Sequence, residues 1–270
     1  PSLVSKLPEM DEQPILSHTD MGMDHGAMNH GDMFMDMGMD MGGGCTQEHA
    51  DMGHCEMPSS MEISGDSSCT QEHAEMGHCE MPKIIQEFAT GVAGYGSANP
   101  ANFNHLKVGP KIDMLAQGAQ YRLDDPGVGL RNNGRKVLTY SELFNHHKTP
   151  DPRQPDREIE LHLTGNMSRY MWSIDGVKGA LAEPLRLKYG ERVRITLVNN
   201  TMMNHPMHLH GMWSDLETGD GNYIPRKHTV IVQPGSKVSY LVTADAMGRW
   251  AYHCHLMYHM SGMFREVQVS

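Results

Sequence analysis

Near its C-terminus the chain carries a run rich in histidine, cysteine and methionine that begins at His253 and ends at Met263. The bulky aromatic residues just before this run predict a strand, and successive side chains of a strand point to opposite faces. His253 and His255 are therefore predicted to share one face, with Cys254 on the other. Cys254, His259 and Met263 offer a thiolate, an imidazole and a thioether, which are three of the four donors of a blue-copper centre.

A second histidine-rich run, with the sequence His-Pro-Met-His-Leu-His-Gly, begins at His205. His208 and His210 are two residues apart and so lie on one face of an extended segment. Pro206 biases His205 toward an extended conformation and separates it from the other two histidines. His205 is thus predicted to point one way and the pair His208 and His210 the other way. The C-terminal run has the same arrangement, with Cys254 opposite its two neighbouring histidines.

The two runs together predict two metal sites. The first is a mononuclear blue-copper site, and the second is a copper cluster that needs more ligands than these residues supply. Cys254 lies between His253 and His255 in the chain, so it would join the two sites and give electrons a short path. Zinc is the main alternative metal because His and Cys also bind zinc, but Met263 and the isolated cysteine favour copper. The predicted ligands are His205, Cys254, His259 and Met263 for the first site, and His208, His210, His253 and His255 for the second.

The elements that position these runs are short strands separated by turns, which begin near residue 158. Residues 158–164 alternate polar and apolar side chains with a period of two, and Asp175-Gly176 is a hairpin turn signal. Seven or eight short strands at this spacing predict an all-β fold, a β-sandwich or barrel, over residues 158–270. The other predicted strands are 170–174, 185–189, 192–199, 227–232, 237–242, 250–254 and 264–269.

Residues 83–157 are interpreted as a partly ordered connector. Turn-forming residues recur there, with a loop predicted over 121–130 and a single helical turn predicted over 141–144. The histidines of this connector show no partner pattern and are predicted to lie on the surface: His105, His146 and His147.

Residues 1–82 form a low-complexity segment with 14 of the 25 methionines and 7 of the 18 histidines. Large aliphatic residues are scarce, so burial cannot offset the chain entropy, and we expect disorder in the absence of metal. Thioether and thiolate donors select Cu(I), which favours a role in copper capture. The alternative is a flexible acidic linker.

An internal repeat lies within this segment, because the residues from Cys45 to Pro58 recur almost unchanged from Cys69 to Pro82, with a period of 24 residues. Two copies are too few for a solenoid. The sequence leaves open whether the four cysteines of the repeat are metal-binding thiols or form two local disulfides, Cys45–Cys55 and Cys69–Cys79.

The formal net charge is −11, and residues 1–82 hold one basic residue against sixteen acidic residues. The sequence has no basic stripe, so nucleic acid is not an expected partner. It has no run of eighteen apolar residues, so no membrane span is expected. The chain begins with Pro1 and shows no signal peptide, and we interpret it as a fragment or a processed chain.

The motifs His-Pro-x-His-Leu-His-Gly at 205–211 and His-Cys-His-x-x-x-His at 253–259 resemble the third and fourth copper motifs of the multicopper oxidases. Segments 123–130, 202–203 and 248–255 resemble the bacterial copper-resistance oxidases of the CopA/PcoA type. This resemblance implies a cupredoxin-like Greek-key domain at the C-terminus and a periplasmic location.

The resemblance also implies copper of three types. It places His205, Cys254, His259 and Met263 at type 1 copper, His208 at type 2 copper, and His210, His253 and His255 at the binuclear type 3 pair.

The sequence departs from the family pattern in two ways. The family completes its trinuclear cluster with two further His-x-His motifs from an N-terminal cupredoxin domain, and this sequence has no His-x-His outside 208–210 and 253–255. The family also places its axial methionine five positions after the last histidine, whereas Met263 follows His259 by four, which leaves the axial role open.

The leading hypothesis is the C-terminal part of a periplasmic copper-resistance multicopper oxidase, which oxidises Cu(I) or phenol-type substrates and reduces O2. Cys254, His253 and His255 would carry the electrons, and N-terminal cupredoxin domains of the same parent protein would complete the cluster, so this chain alone would be inactive. One alternative is a stand-alone copper-binding or electron-transfer protein with a Cu(I)-sequestering arm. The other is a zinc-binding or purely structural β-domain with a disordered tail.

Overall fold

The computed structural model describes residues 15–23, 96–131 and 134–270. The predicted repeat with its four cysteines and most of the Met/His-rich segment lie outside these residues. The described part of the chain consists of strands and loops with two short 3-10 helices, Tyr140–Glu142 and Gly179–Leu181, which confirms the predicted all-β fold. Among the described residues, no helix is both long enough and apolar enough to span a membrane.

Twelve strands occur in the described residues, and every strand predicted from the sequence overlaps at least one of them. They are β1 (Gln120–Tyr121), β2 (Arg157–Asn166), β3 (Met171–Ile174), β4 (Leu185–Leu187), β5 (Arg192–Asn199), β6 (His205–Leu209), β7 (Ser214–Leu216), β8 (Arg226–Lys227), β9 (Thr229–Val232), β10 (Ser236–Thr243), β11 (Gly248–Cys254) and β12 (Phe264–Val269).

These strands form two sheets in a cupredoxin-like sandwich. The first sheet has the order β3-β2-β5-β10-β7-β8, with β1 beside β10, and the second has the order β4-β12-β11-β6-β9. Most neighbours are antiparallel, but β1 pairs with β10, β2 with β5 and β4 with β12 in parallel. The two histidine-rich runs therefore lie on adjacent central strands of the second sheet.

One hydrophobic core holds the two sheets together. Leu163 and Ile195 of the first sheet and Leu209 of the second belong to the same buried cluster, and burying a side chain of this size contributes about 1.5–3 kcal/mol. The hydroxyl groups of Tyr240 on β10 and Tyr252 on β11 share a hydrogen bond that joins the sheets. The core thus fixes β11, and with it the start of the C-terminal histidine-rich run, against the first sheet.

The sequence predicts neither β1 nor β7. β7 is polar yet buried along its whole length, because the Asp215 carboxylate pairs with Arg192 at 3.0 Å and with Arg226 at 3.2 Å. Ion pairing offsets the cost of burying charge. β7 is therefore buried although its composition does not predict a buried strand. β1 pairs with β10 through Gln120 and Tyr121, the second of which begins the predicted loop 121–130.

Two other predictions for the connector, the helical turn and the surface histidines, agree with the structure. The predicted helical turn is the 3-10 helix Tyr140–Glu142, whose start is capped by Thr139 and Glu142. The three connector histidines are exposed, as expected for surface residues: His105, His146 and His147.

Residues 17–23, within the segment expected to be disordered, form a turn that contacts residues of the connector. The Asp20 carboxylate pairs with Arg131 at 2.7 Å, and the Gly22 carbonyl accepts a hydrogen bond from the Gly118 N–H at 2.8 Å. Local composition does not reveal this turn, because the partners lie about a hundred residues further along the chain.

Candidate metal centre

Strands β6 and β11 are antiparallel neighbours, and their register places the two histidine-rich runs side by side. His253 pairs with His208, and Cys254 pairs with Met207. Because side chains alternate along a strand, His205 and Cys254 point into the core, where both are fully buried. The spaced histidines lie on the outer face of the same two strands.

Three donor atoms converge on the inner side. Cys254 Sγ lies 3.6 Å from His205 Nδ1 and 3.9 Å from His259 Nδ1, and the two Nδ1 atoms are 3.3 Å apart. All three side chains are buried, and their ligand atoms lie within 4.8 Å of one another. One thiol and two imidazole nitrogens at this spacing could hold a metal ion, and the donor chemistry fits copper or zinc.

The loop after β11 returns Met263 to Cys254. The Cys254 N–H donates to the Met263 carbonyl at 3.0 Å, and the Met263 N–H donates to the His259 carbonyl at 2.8 Å. Met263 is completely buried. Gly262 is required in this loop because a Cβ there would lie 2.1 Å from the carbonyl oxygen of Trp172. The shortened spacing before Met263 thus closes a tight turn beside Cys254.

Two aromatic residues cover His259. The Trp172 indole stacks on the His259 imidazole, with ring centres 3.9 Å apart and planes inclined by 24°, and its edge meets His205 at 5.6 Å. Tyr170, in the left-handed region at φ 49°, adds a ring 6.3 Å from His259. The indole N–H of Trp172 is buried and has no hydrogen-bond partner among the described residues. The sequence predicts this segment only as a strand, since no local pattern links these rings to a distant histidine.

Burial sets the protonation of the inner donors in the metal-free protein. It raises the pKa of the Cys254 thiol to about 11. It also lowers the pKa of His205 to about 3, with the nearby His259 as a second cause, and lowers the pKa of His259. At neutral pH the two imidazoles are therefore neutral and ready to bind a metal, whereas the thiol must release its proton when a metal binds.

Four imidazoles lie together on the outer face. The ring centres of His208 and His210 are 4.5 Å apart, those of His253 and His255 are 5.8 Å apart, and Nε2 of His210 is 3.1 Å from Nε2 of His253. Burial, followed by the charges of the three neighbouring histidines, lowers the pKa of His210. The arrangement brings several imidazole nitrogens together where metal ions could bind them.

Sequence reasoning missed two groups that contact these imidazoles. The His228 carbonyl lies 2.5 Å from His208 Nδ1 and accepts its hydrogen bond, which leaves Nε2 of His208 free. On the inner side, the Thr201 hydroxyl lies 2.6 Å from His205 Nε2. Neither partner belongs to a recognisable ligand motif, and the only signal in the sequence is that Thr201 stands four residues before His205.

A groove of about 720 Å³ adjoins the ligand-bearing segments. Its lining includes Met202 and Met203, just before the first histidine-rich run, and Leu256, which follows His255. The groove thus reaches residues that flank the two runs, and none of the proposed ligands is among the residues that line it.

Residues 152–270 match the family model described as multicopper oxidase. Copper resistance protein A of Pseudomonas syringae pv. tomato is 64% identical over 173 residues, which cover 64% of this chain and 28% of the relative. Copper resistance protein A of Escherichia coli is 63% identical over 161 residues, which cover 59% of this chain and 27% of the relative. The chain thus spans little more than a quarter of the length of these relatives.

Among solved structures, the blue copper oxidase of Nitrosomonas europaea is similar over 42% of this chain and 43% of its own, with 19% identity and a TM-score of 0.38. The family match and the relatives confirm the predicted resemblance to copper-resistance multicopper oxidases. Since this family uses copper, they also confirm copper as the metal.

Proposed function

We propose that this chain, whose residues 152–270 form a domain of the multicopper oxidase family, is the copper-binding part of a copper-resistance oxidase. The observation that carries the proposal is the buried convergence of Cys254 Sγ with the Nδ1 atoms of His205 and His259. Together with Met263, which the loop returns to Cys254, these residues would hold a type 1 copper ion.

Copper bound there would supply one-electron chemistry, with Cu(I) or a phenol-type molecule as the reductant and O2 as the final acceptor. The chain's own residues set the conditions for that exchange. Burial of His205, Cys254 and His259 excludes water from the donors, and the Trp172 ring holds one imidazole in place. Fixed and dry donors need little rearrangement when the charge at the site changes.

The connection between the two faces runs through the chain itself. Cys254 lies on the inner face, and its two neighbours in sequence, His253 and His255, lie on the outer face. Electrons leaving the thiolate would therefore need to cross only this short stretch of backbone to reach the outer imidazoles.

We propose that the outer face forms half of a trinuclear copper cluster. His208 would serve type 2 copper, and His210, His253 and His255 would serve the type 3 pair. Further imidazoles would come from two His-x-His motifs of another cupredoxin domain. The exposure of His210 and His255 supports this role, because a second domain can reach them directly.

The Met/His-rich residues 1–82 would capture Cu(I), since thioether and thiolate donors select that ion. A periplasmic location fits this role, and the similarity to copper resistance proteins supports both proposals.

The proposal is tested on this chain loaded with copper. An intense blue thiolate–copper absorption is expected, and Cys254→Ser should abolish it. The matched control is His147→Ala, which removes an exposed histidine of the connector and should keep the band. A band that persists unchanged in Cys254→Ser would overturn the assignment of the site.

A stand-alone copper-binding or electron-transfer protein is the second candidate. It is favoured by the number of His-x-His motifs in the sequence, which is two where the family pattern needs four. Oxygen uptake with a Cu(I) donor separates the candidates when a second cupredoxin domain that carries two His-x-His motifs is added. The oxidase proposal then expects uptake, and the proposal of a stand-alone binding protein expects none. The chain alone should consume no O2 under either proposal, and measurable uptake would contradict the need for further ligands.

A further inference from the structure

The inner imidazole of His205 has a hydrogen-bond partner on the side that faces away from Cys254. Its Nε2 lies 2.6 Å from the hydroxyl oxygen of Thr201. Both residues are buried, with exposed fractions of 0% and 2%, so water cannot substitute for either partner. Only one proton can lie between these two atoms, so the donor is either the Thr201 hydroxyl or His205 Nε2.

The surroundings of Asn199 settle the direction of the hydrogen bonds. Its side-chain nitrogen lies 2.7 Å from the Met203 carbonyl, 3.0 Å from the Val232 carbonyl and 2.9 Å from the Gln233 carbonyl. Carbonyl oxygens only accept hydrogen bonds, so the amide nitrogen must be on this side. Asn199 Oδ1 therefore lies on the other side, facing Thr201.

The Thr201 hydroxyl has one proton to donate. Asn199 Oδ1 accepts from that hydroxyl at 2.9 Å and from the Thr201 N–H at 3.0 Å. Two acceptors, Asn199 Oδ1 and the Met203 carbonyl at 3.3 Å, compete for this proton, and when either takes it the hydroxyl oxygen can only accept from His205. His205 must then carry its proton on Nε2, and Nδ1 keeps a free lone pair that faces Cys254 Sγ at 3.6 Å.

We propose that Asn199 and Thr201 are positioning residues that fix His205 in the Nε2-protonated tautomer, so that its Nδ1 is ready for a metal before one arrives. A partner on the far ring nitrogen sets both the tautomer and the ring orientation of a histidine ligand. The tautomer follows from the hydrogen bonds alone, whereas its use in holding copper rests on the proposed function.

The other ligands are held by different means. His259 is fixed by ring stacking on Trp172, and His208 donates to a backbone carbonyl. His208 Nδ1 also lies 3.2 Å from the Thr229 hydroxyl, but its carbonyl partner is closer. A conservative substitution at Thr201 can therefore remove the partner of His205 without disturbing the other two.

The first experiment measures the tautomer in the metal-free, nitrogen-15-labelled chain by NMR at neutral pH. Wild type and Thr201→Ser should show His205 protonated on Nε2, while Thr201→Val, which has nearly the same shape but no hydroxyl, should lose this single tautomer. The matched control is Thr196→Val, a buried threonine whose hydroxyl contacts Ser239 and Glu158, and it should behave like wild type. Protonation on Nδ1 in wild type, or an unchanged tautomer in Thr201→Val, would overturn the proposal.

The second experiment measures copper affinity from the thiolate–copper band. Thr201→Val should weaken binding about 10- to 100-fold, the usual loss when a partner of a ligand is removed, and Thr201→Ser should restore it. Equal affinities for Thr201→Val and wild type would contradict the positioning role. If wild type shows no such band, the proposed function fails, and the NMR result still decides the tautomer.

Discussion

The two faces of β6 and β11 carry the same kind of side chain in opposite surroundings. On the inner face His205 and Cys254 are fully buried, and hydrogen bonds and ring stacking fix their neighbours. On the outer face His210 and His255 are exposed, and the imidazoles contact mainly one another. The alternation of a strand thus builds a closed site and an open one from two short runs.

This difference shows what each face needs. The inner face gathers three donor atoms within the described residues, because the chain folds back to bring His259 to Cys254 and His205. The outer face is open, because His210 and His255 are exposed. Substitutions that act on one face and spare the other are therefore the direct test of the comparison.

The largest effect is expected for Gly262→Ala, which should destroy the inner site. A Cβ at this position would lie 2.1 Å from the Trp172 carbonyl oxygen, so the ligand loop must move, at a cost of about 3 kcal/mol or more. The copper-loaded variant should lose the blue band, and denaturant unfolding should show the lost stability. Gly109→Ala is the control, because a Cβ there meets no atom within 4 Å. Zinc binding by the outer imidazoles should survive in both variants. Its loss in Gly262→Ala would show that the outer face depends on the inner one.

A smaller loss is expected for Trp172→Leu. The substitution removes the ring that stacks on His259 and leaves a cavity in the core, so the free energy of unfolding should fall by about 2–4 kcal/mol. The blue band should shift or weaken, since the imidazole is freer to turn. Trp213→Leu, at a residue that is 47% exposed, should cost much less. Identical copper spectra for Trp172→Leu and wild type would show that the stack does not hold the ligand.

The inner face should also make the metal-free chain sensitive to pH in two windows. The lowered pKa of His205, about 3 against 6.5, means that the unfolded state binds this proton more tightly, so stability is lost as the pH falls below 6.5. The raised pKa of Cys254, about 11 against 9.0, means that the folded state keeps its proton longer, so stability is lost as the pH rises above 9.

Each of these two groups contributes a slope of at most about 1.4 kcal/mol per pH unit. Urea unfolding across the pH range is the measurement. Cys254→Ser should flatten the alkaline decline and leave the acid decline unchanged. An alkaline decline that stays equally steep in Cys254→Ser would assign it to another group.

The smallest effect is expected for His255→Ala on the outer face. This side chain is exposed, so the free energy of unfolding should change by no more than about 0.5 kcal/mol. The blue band of the inner site should remain, while zinc binding by the outer imidazoles should weaken. Loss of the blue band in His255→Ala would show that the two faces are not independent.

The sequence predicts the division between the faces because that division depends only on local spacing. A period of two assigns Cys254 to one face and its neighbours to the other, and the same rule separates His205 from His208. The register of β6 against β11 then follows from burying the correct face of each strand. For the same reason the strands that alternate clearly are predicted close to their observed limits.

The parts that the sequence does not predict depend on contacts between distant segments. Trp172 reaches His259 only after β3 packs beside the C-terminal loop, and Thr201 becomes a partner of His205 only when Asn199 is held by carbonyls from another strand. The turn at 17–23 likewise depends on Arg131. Local propensity carries no information about such pairings.

The hydrogen bond from the Cys254 N–H to the Met263 carbonyl has a consequence for how the chain can change in length. It ties together the two ends of the ligand loop, so a residue gained or lost between them changes the size of the loop but leaves the position of its ends. A residue gained or lost within β11 would instead exchange Cys254 and His253 between the faces. Length variation after Cys254 therefore leaves each side chain of β11 on its own face, whereas variation within β11 reverses that assignment, and the short spacing to Met263 belongs to the first kind.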